Sequence, residues 1–340
     1  MTIDHPLRPH VDQAKLADRV RVFFDLGEVQ DLSFIYGGYM CHNYRMTTDQ
    51  GIYFLKQYRN KISTIVHEIK YAEEFFSSQG FPVIMPIEDR SGRRAFWVDD
   101  HWLSIFPFVD GYVPALREID MTLVEHVGDM LAHFHKAGLK FPDRHFQPLR
   151  LWSRRKFFME YAELEYELAR IASPSELDRQ IAVSLQKKAE LVRHNSVDLQ
   201  DIQLPYDCLL HGDFIYPNMF VTPSHEITHV YDFEKAVIGP RAYELARSLI
   251  INCFDDGDTE QNYELGRAFL RAYRARLPIS FDEFDKGVHL FMINLRHSNW
   301  IESRYLIYGI DTQLDLYERH TNRLEWTVRS GEGFSRRVFE

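Results

Sequence analysis

Strand-type and helix-type patterns are unevenly distributed along this chain, and their order limits the folds that it can adopt. Apolar residues recur at helical spacing over 121–136, and helical patterns dominate the rest of the chain from there. Only 207–238 interrupts them, with short apolar runs typical of strands. In the first part, short β-rich runs separated by turn residues occupy 32–36, 44–48, 52–58, 83–87, 94–98 and 102–106. The sequence therefore predicts an α+β fold with a small β-rich lobe at 1–106 and a larger helical lobe at 107–340.

Composition argues against several classes of protein. Forty basic and fifty acidic side chains give a net charge of −10, which disfavours a broad nucleic-acid surface and suits a cationic ligand. The three cysteines show no metal-ligand or disulfide spacing, and this favours a reducing compartment. The N-terminal segment lacks the apolar core of a signal peptide, and no run of about 18 apolar residues occurs. We therefore expect a cytoplasmic protein that binds neither membranes nor nucleic acids; its oligomeric state stays open.

The 207–238 segment carries the strongest chemical signal. A His-Gly-Asp sequence ends at Asp213, and Asn218 follows five residues later. An Asp-Phe-Glu sequence then begins at Asp232 and ends at Glu234. Phosphoryl transfer needs a carboxylate that orients the attacking hydroxyl and hard oxygen ligands for Mg2+. We therefore interpret Asp213 as the catalytic base, Asn218 and Asp232 as metal ligands, and Glu234 as a further metal contact.

These motifs resemble those of the aminoglycoside phosphotransferase and choline kinase superfamily, which includes bacterial homoserine kinases. The family's H-G/A-D-x4-N loop and its apolar-D-F/W-D/E segment match the residues just described. Its G-P-x-x-Y-D-L-A motif matches 239–246, except that Glu244 replaces the usual Asp. The resemblance implies a bilobal protein-kinase-like fold and a transferase that uses ATP and Mg2+ to phosphorylate a hydroxyl of a small molecule.

The resemblance also implies nucleotide-binding residues in the first lobe. Lys56, on the strand at 52–58, would neutralise the α- and β-phosphates. Gly37 and Gly38 belong to a hairpin that would cover the phosphates, because glycine lets backbone amides approach them closely. Phe106 and Phe108 belong to a segment that resembles the hinge between the lobes, where adenine would be sandwiched.

The partner of Lys56 is expected on the helix that the sequence predicts at 63–79. Glu68 and Glu73 lie on opposite flanks of its apolar face, so periodicity leaves both open. The family's usual separation between this helix and the next strand favours Glu68.

Two clusters in the second lobe are candidates for binding the acceptor. Asp255 and Asp256 belong to an acidic segment that suits ammonium groups, as in an amino sugar or an amino alcohol. Arg296, Trp300 and Arg304 would share one helical face and suit a carboxylate or phosphate, as in an amino acid such as homoserine. The two clusters favour different acceptors, so the acceptor stays open, as does the choice between ATP and GTP.

Two alternative functions are compatible with the same motifs. A protein Ser/Thr kinase is disfavoured, because Gly212 stands where such enzymes usually have arginine and only twelve residues separate Asp232 from Glu244. A non-catalytic nucleotide-binding pseudokinase is disfavoured because Lys56, Asp213, Asn218 and Asp232 are all present.

Overall fold

The computed structural model describes residues 11–35, 41–59, 62–143, 145–194, 201–255, 257–307, 314–329 and 333–340. Three of the predicted site residues, Gly37, Gly38 and Asp256, lie outside these ranges.

The first lobe is an antiparallel five-stranded sheet with strand order β1-β2-β3-β5-β4. Its elements are α1 (Gln13–Phe23), β1 (Val29–Ile35), β2 (Cys41–Thr48), β3 (Ile52–Tyr58), α2 (Ser63–Ser78), β4 (Phe96–Val98) and β5 (His101–Pro107). Lys56 lies on the central strand β3, opposite Asn43 of β2 and Ser104 of β5. The sheet therefore holds this lysine from both sides.

Helix α2 connects the sheet to the second lobe. Its buried face is apolar at helical spacing, and its Phe76 ring lies 4.5 Å from the ring of Phe134 and 5.8 Å from that of Phe233. The helix ends just before Gly80, as the sequence predicts. Because Phe233 lies between Asp232 and Glu234, this packing fixes α2 next to the predicted metal segment.

The segment at 83–87, which the sequence predicts as a strand, forms only an isolated bridge between Val83 and Val230. Pro82 and Pro86 flank the bridge, and proline cannot donate the ladder hydrogen bonds of a strand. The bridge nevertheless joins the lobes, since Val230 donates to the Pro82 carbonyl at 2.8 Å and Ile84 donates to the Val230 carbonyl at 3.2 Å.

The second lobe is helical, with two small two-stranded sheets, β6-β9 and β7-β8. Its helices are α3 (Met121–Gly138), α4 (Arg154–Ala169), α5 (Glu176–His194), α6 (Arg241–Phe254), α7 (Glu260–Arg276), α8 (Phe281–His297), α9 (Trp300–Leu306), α10 (Leu314–Arg329) and α11 (Phe334–Phe339). Its strands are β6 (Cys208–Leu210), β7 (Met219–Val221), β8 (Ile227–Val230) and β9 (Val237–Gly239).

Helix α6 is the best buried of these helices, and α8 packs directly against it. A Cβ on Gly287 of α8 would lie 2.3 Å from the Ala242 carbonyl oxygen, so only glycine lets the two backbones meet. The α+β, two-lobed architecture expected from the sequence is confirmed. Within the described ranges, no helix has both the length and the apolar character that a membrane crossing needs.

Candidate active site

The two motifs at 207–238 follow strands of two different small sheets and meet beyond the ends of these strands. Asp213 and Asn218 follow β6, and Asp232 follows β8. Asn218 Nδ2 donates to the Asp213 carbonyl at 2.9 Å, and Tyr231 N donates to the Asn218 carbonyl at 3.1 Å. The structure therefore brings the predicted base and the predicted metal ligands Asn218 and Asp232 into one place.

His211 connects the same two loops. Burial lowers its pKa, so the ring is neutral near pH 7. Its Nδ1 accepts from Asp213 N at 3.2 Å, and its Nε2 lies 3.1 Å from the Tyr231 carbonyl. A neutral ring with its proton on Nε2 satisfies both contacts, and this fixes the tautomer.

Gly212 permits the close approach of the loop that carries Asp213 to the segment after Asp232. Its φ is +82°, in the left-handed region that favours glycine. A Cβ at this position would lie 2.0 Å from the Lys235 carbonyl oxygen. The catalytic loop therefore requires glycine for two separate reasons.

Glu244 at the start of α6 braces the loop. It accepts a hydrogen bond from His211 N at 3.1 Å and another from Gly212 N. His135 Nε2 lies 3.0 Å from the same carboxylate, and His135 Nδ1 lies 2.8 Å from the hydroxyl oxygen of Tyr273. The longer side chain that replaces the family's aspartate thus still satisfies two buried backbone donors.

Two further residues on the same face of α6 hold the rest of the loop. Ser248 Oγ donates to the Phe214 carbonyl at 2.5 Å, and Asn252 Oδ1 accepts from Tyr216 N at 2.8 Å. Together with Glu244 they are spaced four residues apart, one above the other on a helix. One helical face therefore sets the backbone geometry of the catalytic loop.

Asp213 is ion-paired on both of its oxygens. Arg247 Nη2 lies 2.5 Å from Oδ1, and Lys235 Nζ lies 2.9 Å from Oδ2. Burial alone would raise the pKa of Asp213, but the charges of Arg247 and Lys235 bring it well below its ordinary value. Sequence reasoning missed both cations, although the position of Arg247, three residues after Glu244 on the same helix, is a usable signal.

Lys56 points at the predicted metal segment. Its Nζ lies 2.8 Å from Asp232 Oδ1 and 2.6 Å from Glu234 Oε1. Burial opposes the ammonium charge, but the two carboxylates raise the pKa of Lys56 well above its ordinary value. Lys56 therefore stays charged.

The structure places Glu73, and not Glu68, next to Lys56. Glu73 is 4 % exposed and pairs with Lys70 at 2.8 Å, while the charge of Lys56 acts on it. Glu68 lies about 200° around the helix from Lys70 and faces the backbone of Gln147. The family spacing that favours Glu68 is therefore not matched by the geometry.

A mostly apolar cleft of about 290 Å³ leads to the carboxylate of Asp232. Both predicted hinge residues line it, and so do Lys56 and Asp232. Its apolar walls also include Phe54 and Val109, from the two segments predicted to bind nucleotide, and three residues that sequence reasoning missed, which are Ile84, Phe220 and Tyr231. The cleft can hold a planar base between the apolar walls, with a triphosphate at the charged end.

A larger groove of about 1020 Å³ runs between α5 and α10. It shares no lining residue with the cleft that contains Lys56 and Asp232. The smaller cleft is the candidate active site, because the chemistry of a site depends on its functional groups and not on its size.

The donor set at the charged end suits Mg2+. Asn218 supplies an amide oxygen, while Asp232 and Glu234 supply carboxylate oxygens, which are the ligands that this hard cation prefers. Asp232 has φ 69° and ψ 62°, a left-handed conformation uncommon for a residue other than glycine. Such strain concentrates at functional sites.

The predicted cluster of Arg296, Trp300 and Arg304 does not share a helical face. Helix α8 ends at His297, and α9 begins at Trp300, because Ser298 has an extended backbone at the helix end. Arg296 donates to the Thr327 carbonyl at 2.7 Å and so joins α8 to α10. The continuous helix expected over this segment is wrong.

The predicted ammonium-binding residue Asp255 is already paired. Its side chain is 3 % exposed and contacts Arg323, and its Oδ2 lies 3.6 Å from Arg319 Nη1. Both arginines come from α10. Asp255 is therefore the counterion of two cations.

The chain is similar to known phosphotransferases and kinases. The phosphotransferase enzyme family matches residues 31–279. A homoserine kinase from Rhodopseudomonas palustris (strain BisB18) is 26% identical over 265 residues, which cover 77% of this chain and 75% of that protein.

Two solved structures have the same fold. A spectinomycin phosphotransferase in complex with ADP and spectinomycin has a TM-score of 0.63 at 13% identity, and the match covers 97% of this chain and 98% of that one. An amicoumacin kinase in complex with AMP-PNP and Ca2+ has a TM-score of 0.60 at 14% identity, with 96% and 94% covered. The expected protein-kinase-like fold is confirmed.

Proposed function

This chain belongs to the phosphotransferase enzyme family and is a small-molecule kinase, and on that premise we propose that it transfers the γ-phosphate of ATP, with Mg2+, to a hydroxyl group of its acceptor. One observation carries the proposal. Asn218 Nδ2 donates to the Asp213 carbonyl, and Tyr231 N, next to Asp232, donates to the Asn218 carbonyl, so hydrogen bonds join the two loops beside the apolar cleft that Asp232 lines.

The cleft between the lobes would bind ATP. The apolar walls, including Phe106 and Phe108, suit the adenine ring, and Lys56 would turn from its carboxylates toward the phosphates. The complexes of the spectinomycin and amicoumacin enzymes with ADP and AMP-PNP support this assignment.

Asn218 and Asp232 would hold Mg2+, with Glu234 as a further contact. When bound, the cation would neutralise charge on the phosphate oxygens. In the chain alone, Lys56 satisfies Asp232 and Glu234, so it acts as their counterion.

Asp213 would orient the acceptor hydroxyl toward the γ-phosphate. Its pairing with Arg247 and Lys235 keeps it ionised and lowers its basicity. Phosphoryl transfer passes through a loose transition state that needs little proton removal from the acceptor early on, so orientation contributes most.

The acceptor would be an amino sugar, an amino alcohol or a homoserine-type molecule. The relatives and structural neighbours of this chain include kinases named for homoserine, spectinomycin and amicoumacin. All three carry hydroxyl groups that such a site can phosphorylate.

ADP release by the purified chain tests the proposal. We expect release that requires both Mg2+ and an acceptor from a panel of homoserine, amino alcohols and aminoglycosides. Asp232→Ala should abolish the Mg2+-dependent part of ATP binding in a titration, because it removes a metal ligand. Nucleotide binding without phosphorylation of any acceptor would favour a pseudokinase, and Mg2+-dependent binding by Asp232→Ala equal to wild type would remove this residue from the metal site.

A further inference from the structure

We propose that the acceptor carries a carboxylate or phosphate group and that Arg247 and Arg323 bind this anionic group next to Asp213. The inference rests on the proposed function and specifies its acceptor. Neither arginine belongs to a motif that the sequence singles out.

The two arginines reach the same place from different helices. Arg247 comes from α6 and contacts Asp213 Oδ1 at 2.5 Å. Arg323 comes from α10 and contacts Asp255, the residue that ends α6. Burial and the nearby charge of Arg247 lower the pKa of Arg323 to about 10, and the charge of Asp213 also acts on it. The two guanidinium groups therefore lie within electrostatic range of each other and of the proposed base.

Each arginine keeps a buried donor atom that no hydrogen bond satisfies within the described part of the chain. These atoms are Arg247 Nη1 and Arg323 Nε. A buried donor without an acceptor is costly, and native structures rarely leave one unexplained. Two such donors on neighbouring guanidinium groups fit the oxygens of an anion, because guanidinium pairs strongly with carboxylates and phosphates.

Each carboxylate next to the two arginines also faces a second cation. Asp213 is shared by Arg247 and Lys235, and Asp255 is shared by Arg323 and Arg319. The two guanidinium groups would attract an anionic group of the acceptor and repel an ammonium group placed at the same position. The net charge of −10 for the whole chain does not describe this local surface.

A matched set of acceptors tests the inference. Homoserine has a hydroxyl, an ammonium and a carboxylate; 3-aminopropan-1-ol lacks the carboxylate; 4-hydroxybutyrate lacks the ammonium; and homoserine amide has the carboxylate blocked. Glycerol 3-phosphate supplies a phosphate instead, and an aminoglycoside supplies only cations. We expect kcat/KM for the carboxylate or phosphate acceptors to exceed that for 3-aminopropan-1-ol and homoserine amide at least about tenfold.

Variants assign the effect to a residue. Arg323→Gln should raise the KM for the anionic acceptor about tenfold or more and leave the KM for ATP unchanged. Arg323→Lys keeps the ion pair with Asp255 and should recover part of the loss. Arg271→Gln, which removes an exposed arginine paired with Glu125, controls for the change in net charge and should behave like wild type.

The outcomes separate the two proposals. Phosphorylation that favours the amino alcohol or the aminoglycoside, or an acceptor KM unchanged in both Arg323 variants, overturns the anionic acceptor but leaves the kinase intact. If no acceptor in the set is phosphorylated while ATP and Mg2+ still bind, the proposed function fails, and the inference fails with it.

Discussion

Arg247 Nη2 lies 2.5 Å from Asp213 Oδ1, so the carboxylate at the centre of the catalytic loop is ion-paired in the chain itself. Lys235 holds its other oxygen at 2.9 Å. A carboxylate held in this way has a fixed direction and a pKa well below its ordinary value. Both properties suit a group that positions a hydroxyl.

Asp213→Asn should lower kcat by about a hundredfold or more, because the amide cannot orient and accept the hydroxyl proton as the carboxylate does. The affinity for ATP should change little, since the cleft walls and Lys56 are untouched. Single-turnover kinetics and an ATP titration check the two parts. Turnover equal to wild type would remove Asp213 from the reaction.

Glu73→Gln should lower the free energy of unfolding by about 3–5 kcal/mol, because it leaves the buried ammonium of Lys70 without its counterion. Glu68→Gln is the matched control on the same helix and should change it by about 0.5 kcal/mol or less, since Glu68 is only partly buried. Urea unfolding measures both. Equal effects of the two variants would contradict the geometry of α2.

Gly212→Ala should inactivate the protein, since its Cβ would lie 2.0 Å from the Lys235 carbonyl and force the catalytic loop to move. Gly80→Ala separates this crowding from backbone strain, because Gly80 has φ +85° but nothing within 4 Å of the added Cβ. We expect Gly80→Ala to cost about 1 kcal/mol of stability and to keep full turnover. Thermal unfolding and ADP release measure the pair; an active Gly212→Ala variant would show that the loop tolerates displacement.

Stability should fall as pH falls from about 6.5 to about 4 because of His320. Burial, followed by the charge of Lys188, lowers the pKa of this histidine to about 4, although Glu302 acts in the opposite direction. In that window the unfolded chain binds a proton that the folded chain does not, so the loss can reach about 3 kcal/mol.

His320→Asn removes this titration and should flatten the dependence of unfolding free energy on pH between 4 and 6.5. His145→Asn, at an exposed histidine, is the control and should leave the slope as it is in wild type. An unchanged slope in His320→Asn would mean that other groups cause the loss.

The candidate residues that the sequence identifies share one property: they lie in short motifs of neighbouring residues. Asp213 and Asp232 each follow a short apolar run, and Asn218 comes five residues after Asp213, so the sequence predicts that these candidate residues lie near strand ends. The two lobes could also be predicted from local patterns. The spacing of apolar residues and the positions of turn residues distinguish the first sheet from the helices that follow.

The residues that were missed are brought together by tertiary packing. Arg323 lies 110 residues after Asp213, and no spacing rule predicts which distant helix reaches the loop that carries Asp213. The break between α8 and α9 at Ser298 and Asn299 was also missed, because the flanking residues continue the helical period. Helix periodicity alone likewise left Glu68 and Glu73 undecided, since it reports which face is apolar and not which neighbour that face meets.

Helix α6 braces the catalytic loop through Glu244 and Ser248, whereas α10 contacts the end of α6 through the ion pair of Arg323 with Asp255. Attempts to redesign the acceptor preference should therefore begin at Arg323. Substitutions on α6 would change both the acceptor preference and the turnover, so their two kinetic effects could not be told apart.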